Sequence, residues 1–281
     1  MISPPHKHER KHAKAGGSPL KVMILAGGFG TRIGEESRLR PKPMIEVGGE
    51  PVLWHLMRYF SAYGHREFIV CCGYLGHVIK EYFLHYRMHR SSVTFDFARE
   101  GEMTLHGCAA EPWRVTLAET GTGTLTGSRV RKAAAFTDGE PFFLTYGDGL
   151  ADVDLNALLA FHRLSGAEVT LTAVQPGGRF GALEIDDNRR VRAFREKAPE
   201  DGGWINGGFL VVEPEFLRRI PEGDDCSLER GPLTELSREG KLAAYLHRGF
   251  WHCMDTQRDR ESLERLWQSG AAPWNIGRDG L

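Results

Sequence analysis

The chain has 281 residues and a formal net charge of -1, from 36 lysines and arginines against 37 aspartates and glutamates. Hydrophobic residues make up 41% of it and charged residues 26%, which excludes a disordered or collagen-like protein and allows a sizeable core. The balanced charge gives no global signal for binding nucleic acid or an anionic membrane.

Two features indicate a globular protein of the cytoplasm. No apolar run approaches the ~20 residues of a membrane span, and the apolar stretch Val22–Ala26 after the basic N-terminus is too short for a signal peptide. The five cysteines include no C-x-x-C pair, and Cys71 and Cys72 stand side by side in an apolar run. This pattern predicts buried, reduced thiols rather than a disulfide framework or a zinc site.

Residues 1–19 differ in composition from the rest of the chain, because they combine histidines, lysines and prolines without apolar periodicity. We predict a flexible tail there and a single domain over 20–281. Metal or polyanion binding by the tail histidines is the alternative.

From residue 21 onward, strand and helix patterns alternate. Strands are predicted at 21–26, 67–72, 92–98 and 141–146, and helices at 51–64, 78–89 and 154–165. Asp154 is the expected N-cap of the last helix and Gly166 its stop. Further strands are predicted at 167–174, 180–186, 190–195 and 205–212, and helices at 227–239 and 256–268.

This alternation predicts an α/β fold: an open, mostly parallel mixed sheet with helices on both faces, which the second half of the chain extends. Such sheets bind ligands outside the carboxyl ends of their strands. The histidines on the predicted helices, His55, His77, His85 and His89, are expected to face solvent or to pack against loops.

A glycine-rich segment, Leu25-Ala26-Gly27-Gly28-Phe29-Gly30-Thr31-Arg32, follows the first strand directly. Its backbone can approach a ligand closely and direct N–H groups at anionic oxygens. A dinucleotide fingerprint fails because Ile33 stands where the last glycine belongs, and a P-loop fails because no Gly-Lys-Ser/Thr follows. A simple tight turn remains the alternative.

Lys42 stands between Pro41 and Pro43. Each proline fixes its own φ and biases the preceding residue to extended geometry, so the lysine lies on a stiff segment. Together with Arg32 beside the glycine segment, it is suited to clamping a phosphate chain.

These motifs together resemble those of the sugar-1-phosphate nucleotidyltransferases, and within them the glucose-1-phosphate cytidylyltransferase branch. The resemblance rests on Gly27-Gly28-Phe29-Gly30-Thr31-Arg32, Lys42-Pro43-Met44, Val47–His55, Cys71–Tyr74, Glu111–Trp113, Thr126–Arg129, Thr145–Gly149, Gly178–Leu183, Glu196-Lys197, Ile205–Phe209 and Met254-Asp255-Thr256. It covers about residues 20–275. The implied fold is a Rossmann-like nucleotidyltransferase domain of the glycosyltransferase-A type.

The resemblance also implies roles for individual residues. Arg32 and Lys42 would be catalytic, and Asp148 and Asp255 would bind Mg²⁺. Contacts to the nucleotide would come from Leu25, Ala26, Gly27, Gly28, Gly30, Thr31, Thr126 and Arg129, the last two from the same chain or from a neighbouring subunit. The sugar phosphate would contact Tyr146, Gly147, Gly181, Glu196, Lys197, Asn206 and Gly207. Ser128 departs from the family's Thr-Gly-Gly-Arg pattern, and Arg40 from its usual lysine.

The implied reaction joins CTP and α-D-glucose 1-phosphate to give CDP-glucose and diphosphate, by Mg²⁺-assisted in-line attack of the sugar phosphate. The product would serve deoxysugar, O-antigen or other polysaccharide synthesis. A homo-oligomer, a hexamer in the family, is expected, with neither nucleic acid nor membrane as partner. Two alternatives stay open: the same chemistry with dTTP, UTP or GTP, and a non-catalytic regulatory subunit that binds nucleotide sugars.

Overall fold

The computed structural model describes residues 18–30, 36–107, 109–176, 182–185, 191–195 and 203–276. The tail expected at 1–19 therefore lies outside the described residues except for Ser18 and Pro19.

The described part of the chain contains sixteen strands and seven α-helices. The strands are β1 Lys21–Leu25, β2 Glu46–Val47, β3 Glu50–Pro51, β4 Glu67–Cys72, β5 Ser92–Asp96, β6 Glu102–His106, β7 Arg114–Glu119, β8 Phe142–Tyr146, β9 Gly149–Ala151, β10 Val169–Val174, β11 Ala182–Ile185, β12 Val191–Arg195, β13 Ile205–Asn206, β14 Leu210–Val212, β15 Leu242–His247 and β16 Trp251–Cys253. The helices are α1 Glu36–Leu39, α2 Val52–Ala62, α3 Gly76–His89, α4 Thr126–Ala133, α5 Leu155–Ser165, α6 Pro232–Arg238 and α7 Gln257–Gln268.

Eight of these strands form one mixed sheet in the order β15-β10-β14-β8-β1-β4-β7, with β13 pairing β10 beyond the end of β14. The pairs β1-β4, β1-β8, β4-β7 and β10-β15 are parallel, whereas β14 runs antiparallel to both β8 and β10. The second half of the chain thus extends the sheet that the first half begins, as predicted.

Helices cover both faces of the sheet, and the alternation along β1 shows why. Val22 and Ile24 belong to one buried cluster, which α2 and α5 complete, while Met23 and Leu25 belong to a second cluster with α4 and α6. Because successive side chains of a strand point to opposite faces, an uninterrupted apolar strand requires a cover on each side. The predicted fold class is confirmed.

Helix α5 begins and ends as its sequence predicts. The Asp154 carboxylate accepts hydrogen bonds from the backbone N–H groups of Asn156 and Ala157, and Gly166 stops the helix with φ at +64°.

Cys71 and Cys72 are fully buried free thiols. No helix in the described ranges is long and apolar enough to cross a bilayer.

Two local predictions were wrong. The strand expected at 205–212 is interrupted because Gly208 and Phe209 adopt positive φ and leave the ladder. The helix expected from 227 begins at Pro232, since proline disfavours a helical conformation for the residue before it. His55, expected at the surface or against a loop, is 2% exposed and packs against the segment after α7, where Trp274 Nε1 donates to its Nδ1 over 3.4 Å.

Candidate functional site

The carboxyl ends of β1 and β8 meet at one edge of the sheet. The two strands pair in register from Lys21 and Phe142 to Leu25 and Tyr146. The Gly147 N–H then donates to the Leu25 carbonyl over 2.9 Å. The glycine segment and the turn that carries Asp148 therefore leave the sheet side by side.

Arg129 of α4 packs directly against the glycine segment. A Cβ atom on Gly27 would lie 2.1 Å from its Nη1, and one on Gly73 would lie 2.2 Å from the same atom. Side chains are thus excluded from both positions because the guanidinium fills the space beneath them. The residue is 4% exposed.

The terminal guanidinium nitrogens of Arg129 are fully engaged by the protein. Nη1 donates towards Cys72 O, Thr120 Oγ1 and Gly121 O, and Nη2 towards Gly27 O and Thr122 O. These five acceptors meet the four hydrogens on the two nitrogens. Burial lowers the pKa of Arg129, yet the group stays charged because guanidinium holds its proton far above neutral pH. Arg129 therefore shapes the loop, and its expected contact with the nucleotide stays a prediction.

A cavity of about 300 Å³, here called the loop cavity, lies against the glycine segment. Its lining includes Leu25, Ala26, Gly27, Gly28, Gly30, Lys42, Thr126, Arg129, Tyr146, Gly147 and Asp148. Thr126 and Arg129 thus line it from the same chain as the glycines. Every expected nucleotide contact except Thr31, which lies outside the described residues, borders this space.

Lys42 opens a short 3-10 helix at Lys42–Met44, with Pro41 in extended geometry just before it. The segment packs closely on the end of β8, since a Cβ on Gly147 would lie 2.6 Å from Pro43 Cγ. The Lys42 side chain is 13% exposed, and its Nζ lies 3.0 Å from Asp148 Oδ2 and 2.5 Å from Asp255 Oδ1. The two prolines thus fix a lysine whose charge sits between two carboxylates.

Asp255 reaches Asp148 through the small β9-β16 sheet. The two strands pair antiparallel, with Cys253 opposite Gly149, and the Met254 N–H donates to the Asp148 carbonyl over 2.8 Å. One residue later, Asp255 is held by the first turn of α7, where its N–H donates to Asp259 Oδ2 over 3.0 Å.

The donor set at this point fits a hard divalent cation. Ligand atoms of Asp148, Cys253 and Asp255 lie within 4.8 Å of one another. Burial raises the pKa of the Cys253 thiol well above its usual range, so the thiol is neutral at neutral pH. The two carboxylates are the anionic donors, and oxygen ligands are what Mg²⁺ takes.

A second cavity, of about 650 Å³, lies on the other side of Asp148 and is called here the Trp251 cavity. Its lining includes Tyr146, Asp148, Asn206, Gly207, Trp251, Cys253, Asp255 and Asp259. Trp251 Nε1 donates to the Gly207 carbonyl over 2.7 Å, and Asn206 Nδ2 donates to the Tyr146 hydroxyl over 3.1 Å. Because Tyr146 and Asp148 line both cavities, they form the wall between them.

Five expected site residues, Thr31, Arg32, Gly181, Glu196 and Lys197, lie outside the described residues. Ser128 is fully buried, and its hydroxyl accepts from the Cys226 N–H over 3.1 Å. Its side chain therefore contacts the loop at Cys226 and does not line the loop cavity. Two residues next to the expected site were not predicted from the sequence. Cys253 stands directly before Met254-Asp255, which was a usable signal. Glu229, which accepts a hydrogen bond from the Tyr146 hydroxyl over 2.7 Å, has no such signal.

The family model described as nucleotidyl transferase matches residues 21–252 of the chain. The chain belongs to this family. Glucose-1-phosphate cytidylyltransferases of Salmonella typhi and Salmonella typhimurium are each 50% identical to this nucleotidyl transferase over 256 residues, which is 91% of this chain and 98% of theirs. The crystal structure of HddC from Yersinia pseudotuberculosis matches it with a TM-score of 0.62 at 20% identity, over 88% of this chain and 99% of that one. That likeness is one of fold.

Proposed function

We propose that this nucleotidyl transferase moves a cytidylyl group from CTP to α-D-glucose 1-phosphate and releases diphosphate. The observation that carries the proposal is the placement of Lys42 between Asp148 and Asp255, where the two cavities adjoin. Transfer of a nucleotidyl group between two bound phosphates requires positive charge at the point where the two cavities meet. The choice of CTP and glucose 1-phosphate is supported by the 50% identity to glucose-1-phosphate cytidylyltransferases over most of both chains.

The reaction needs no protein nucleophile, because a sugar phosphate is already ionised at neutral pH. Its oxygen attacks the α-phosphorus of CTP, one P–O bond forms, and the bond between the α- and β-phosphates breaks as diphosphate leaves. The chain contributes position and charge. Backbone N–H groups of Gly27, Gly28 and Gly30 are suited to hold the triphosphate in the loop cavity, whereas Asn206 and Gly207 are suited to contact the sugar.

Lys42 acts in this scheme as a fixed positive charge and not as a base. Burial tends to lower its pKa, but the charges of Asp148 and Asp255 outweigh that effect and raise the pKa above its usual value. The ammonium is therefore protonated at neutral pH. Its role is to offset negative charge that develops around the α-phosphate.

Asp148 and Asp255 would hold Mg²⁺, which when bound neutralises phosphate charge and orients phosphate oxygens. By the same family resemblance Arg32 and Thr31 would join the glycine segment at the triphosphate, and Lys197, with Glu196 and Gly181, would hold the sugar phosphate. We expect a homo-oligomer, which light scattering of the purified protein would measure. A cytoplasmic location follows from the proposed substrates.

The test is diphosphate release from glucose 1-phosphate and Mg²⁺ with CTP, UTP, dTTP, ATP and GTP in parallel. Strong preference for CTP is the expected result. Preference for another nucleotide would keep the chemistry and overturn the assigned base. Binding of nucleotide sugars without turnover of any pair would instead support a regulatory subunit.

A further inference from the structure

Glu229 contacts one residue that lines the loop cavity, Thr126, and one that lines both cavities, Tyr146. It belongs to the loop before α6, and the residue as a whole is exposed. Its two carboxylate oxygens nevertheless accept hydrogen bonds from different directions. Oε2 accepts from the Thr126 hydroxyl over 2.8 Å, and Oε1 accepts from the Tyr146 hydroxyl over 2.7 Å.

The first of these partners belongs to the loop cavity. Thr126 is the first residue of α4, three positions before Arg129, and its hydroxyl also accepts from the Leu228 N–H over 2.9 Å. Ser227 donates to the same carboxylate oxygen over 2.8 Å. The loop that carries Glu229 is thus tied directly to the start of α4.

The second partner leads into the Trp251 cavity. The Tyr146 hydroxyl accepts from Asn206 Nδ2 over 3.1 Å, and Asn206 Oδ1 accepts from the Gly208 N–H over 3.0 Å. A continuous line of hydrogen bonds therefore runs from Thr126 through Glu229 and Tyr146 to Asn206.

The electrostatics fix the protonation states of Glu229 and Tyr146. Partial burial acts to raise the pKa of Glu229, but hydrogen bonds from Tyr146, Thr126 and Ser227 outweigh it and hold the pKa below its usual range. Burial and the Glu229 charge raise the pKa of Tyr146 well above its usual range. At neutral pH, Glu229 is therefore a charged acceptor and Tyr146 a neutral donor.

We infer that Glu229 is a positioning residue that couples the two substrate sites, so that occupation of either cavity favours binding in the other. This inference rests on the proposed function. The two oxygens of a carboxylate share one rigid plane, so fixing Oε2 against Thr126 also fixes Oε1 and with it Tyr146 and Asn206. Glu229 is exposed, so a substrate bound against Thr126 restricts the motion of its side chain. The second substrate then binds without having to restrict that side chain, which is positive cooperativity. Linkage requires that the coupling be equal in both directions.

The test compares the affinity for one substrate with and without the other. The Kd of the α,β-methylene analogue of CTP, which cannot be cleaved at the reacting bond, is measured by calorimetry without and with saturating glucose 1-phosphate, with Mg²⁺ present. In the wild type we expect glucose 1-phosphate to tighten analogue binding about fivefold or more. In Glu229→Ala this ratio should fall close to one, and the reverse titration should give the same ratios.

A merely structural role would weaken binding in both conditions and leave the ratio unchanged. Glu229→Gln should give an intermediate ratio, because the amide keeps one acceptor oxygen but puts a donor where the second acceptor stood. It also serves as the test if the alanine variant does not fold, which circular dichroism checks. Glu222→Ala is the matched control, since Glu222 lies seven residues earlier with its side chain 88% exposed and paired to Arg131.

A ratio in Glu229→Ala equal to that of the wild type, or a wild-type ratio of one, would overturn the coupling. If the wild type nevertheless releases diphosphate from CTP and glucose 1-phosphate, the proposed function stands and only the coupling is wrong. Failure of the wild type to turn over any pair would overturn both.

Discussion

Arg129 Nη2 donates to the Gly27 carbonyl oxygen over 2.9 Å, although the two residues lie 102 positions apart in the chain. The contact joins α4 to the turn that follows β1. The glycine segment is thus shaped by a buried cation before any ligand arrives. A pre-formed row of N–H groups can bind anionic oxygens without the cost of ordering the loop.

Arg129→Lys should lower the free energy of unfolding by at least about 2 kcal/mol, because an ammonium cannot meet five dispersed acceptors and leaves buried carbonyls without donors. Urea unfolding measures this loss. Arg131→Lys on the same helix is the control, since that side chain is 35% exposed and contacts one carbonyl and Glu222. Equal losses in the two variants would contradict the special role of Arg129.

Asp148→Asn should reduce turnover by roughly 10³-fold or more while the protein stays folded, because it removes one of two carboxylates at the proposed Mg²⁺ site and leaves the side-chain shape unchanged. Diphosphate release and the far-UV circular dichroism spectrum provide the two readouts. Asp138→Asn, at an exposed ion pair with Lys21, should retain activity. Full activity of Asp148→Asn would remove the metal assignment.

Lys42→Ala should depress kcat by roughly 10²-fold or more and change nucleotide affinity much less, since the proposed role of its charge is at the transition state. Steady-state kinetics together with the Kd of the CTP analogue separate the two effects. Lys80→Ala, which removes an exposed ion pair with Glu119, is the control. An equal fall in affinity with kcat preserved would make Lys42 a binding residue only.

Acidification should destabilise the protein below about pH 6.5 through two buried histidines. Burial lowers the pKa of His55 and of His65 to about 4. Between the folded-state pKa of about 4 and the ordinary histidine pKa of about 6.5, the unfolded chain binds protons that the folded chain does not. The free energy of unfolding therefore rises with pH in this range. Each histidine should cost about 2 kcal/mol at pH 5 relative to neutral pH.

His65→Asn isolates one of these contributions. The His65 Nδ1 accepts from the Leu20 N–H over 3.0 Å, and an asparagine oxygen can replace that acceptor without titrating. Urea unfolding from pH 7 to 5 should therefore show a shallower fall in stability for this variant. His77→Asn, at an exposed position, should keep the wild-type slope; an unchanged slope in His65→Asn as well would contradict the assignment.

Much of the fold follows from local sequence. The boundaries of β4 and the capping of α5 are confirmed to the residue, because an apolar run or a side-chain cap decides each locally. The interrupted strand at 205–212 was not foreseeable from apolar alternation. It depends on the positive φ of Gly208 and Phe209, which an apolar pattern does not record.

The candidate site was foreseeable in its residue types but not in its cross-chain contacts. Glycines after a strand and a lysine between prolines are visible signals, and they do line one cavity. No comparable sequence signal marks Glu229, because its partners Thr126 and Tyr146 lie 103 and 83 residues away. The burial of Arg129 likewise depends on carbonyls from the end of β4 and from the loops after β1 and β7, which no spacing rule records.

The contact between Lys42 and Asp255 spans 213 positions of the chain. During synthesis, the first four strands of the sheet can form long before the ribosome reaches that aspartate. A nascent chain stopped anywhere short of it can hold the glycine turn and the lysine, yet it lacks one of the two carboxylates. We therefore expect a polypeptide released short of Asp255 to lack transferase activity, and activity to appear in one step near the end of translation.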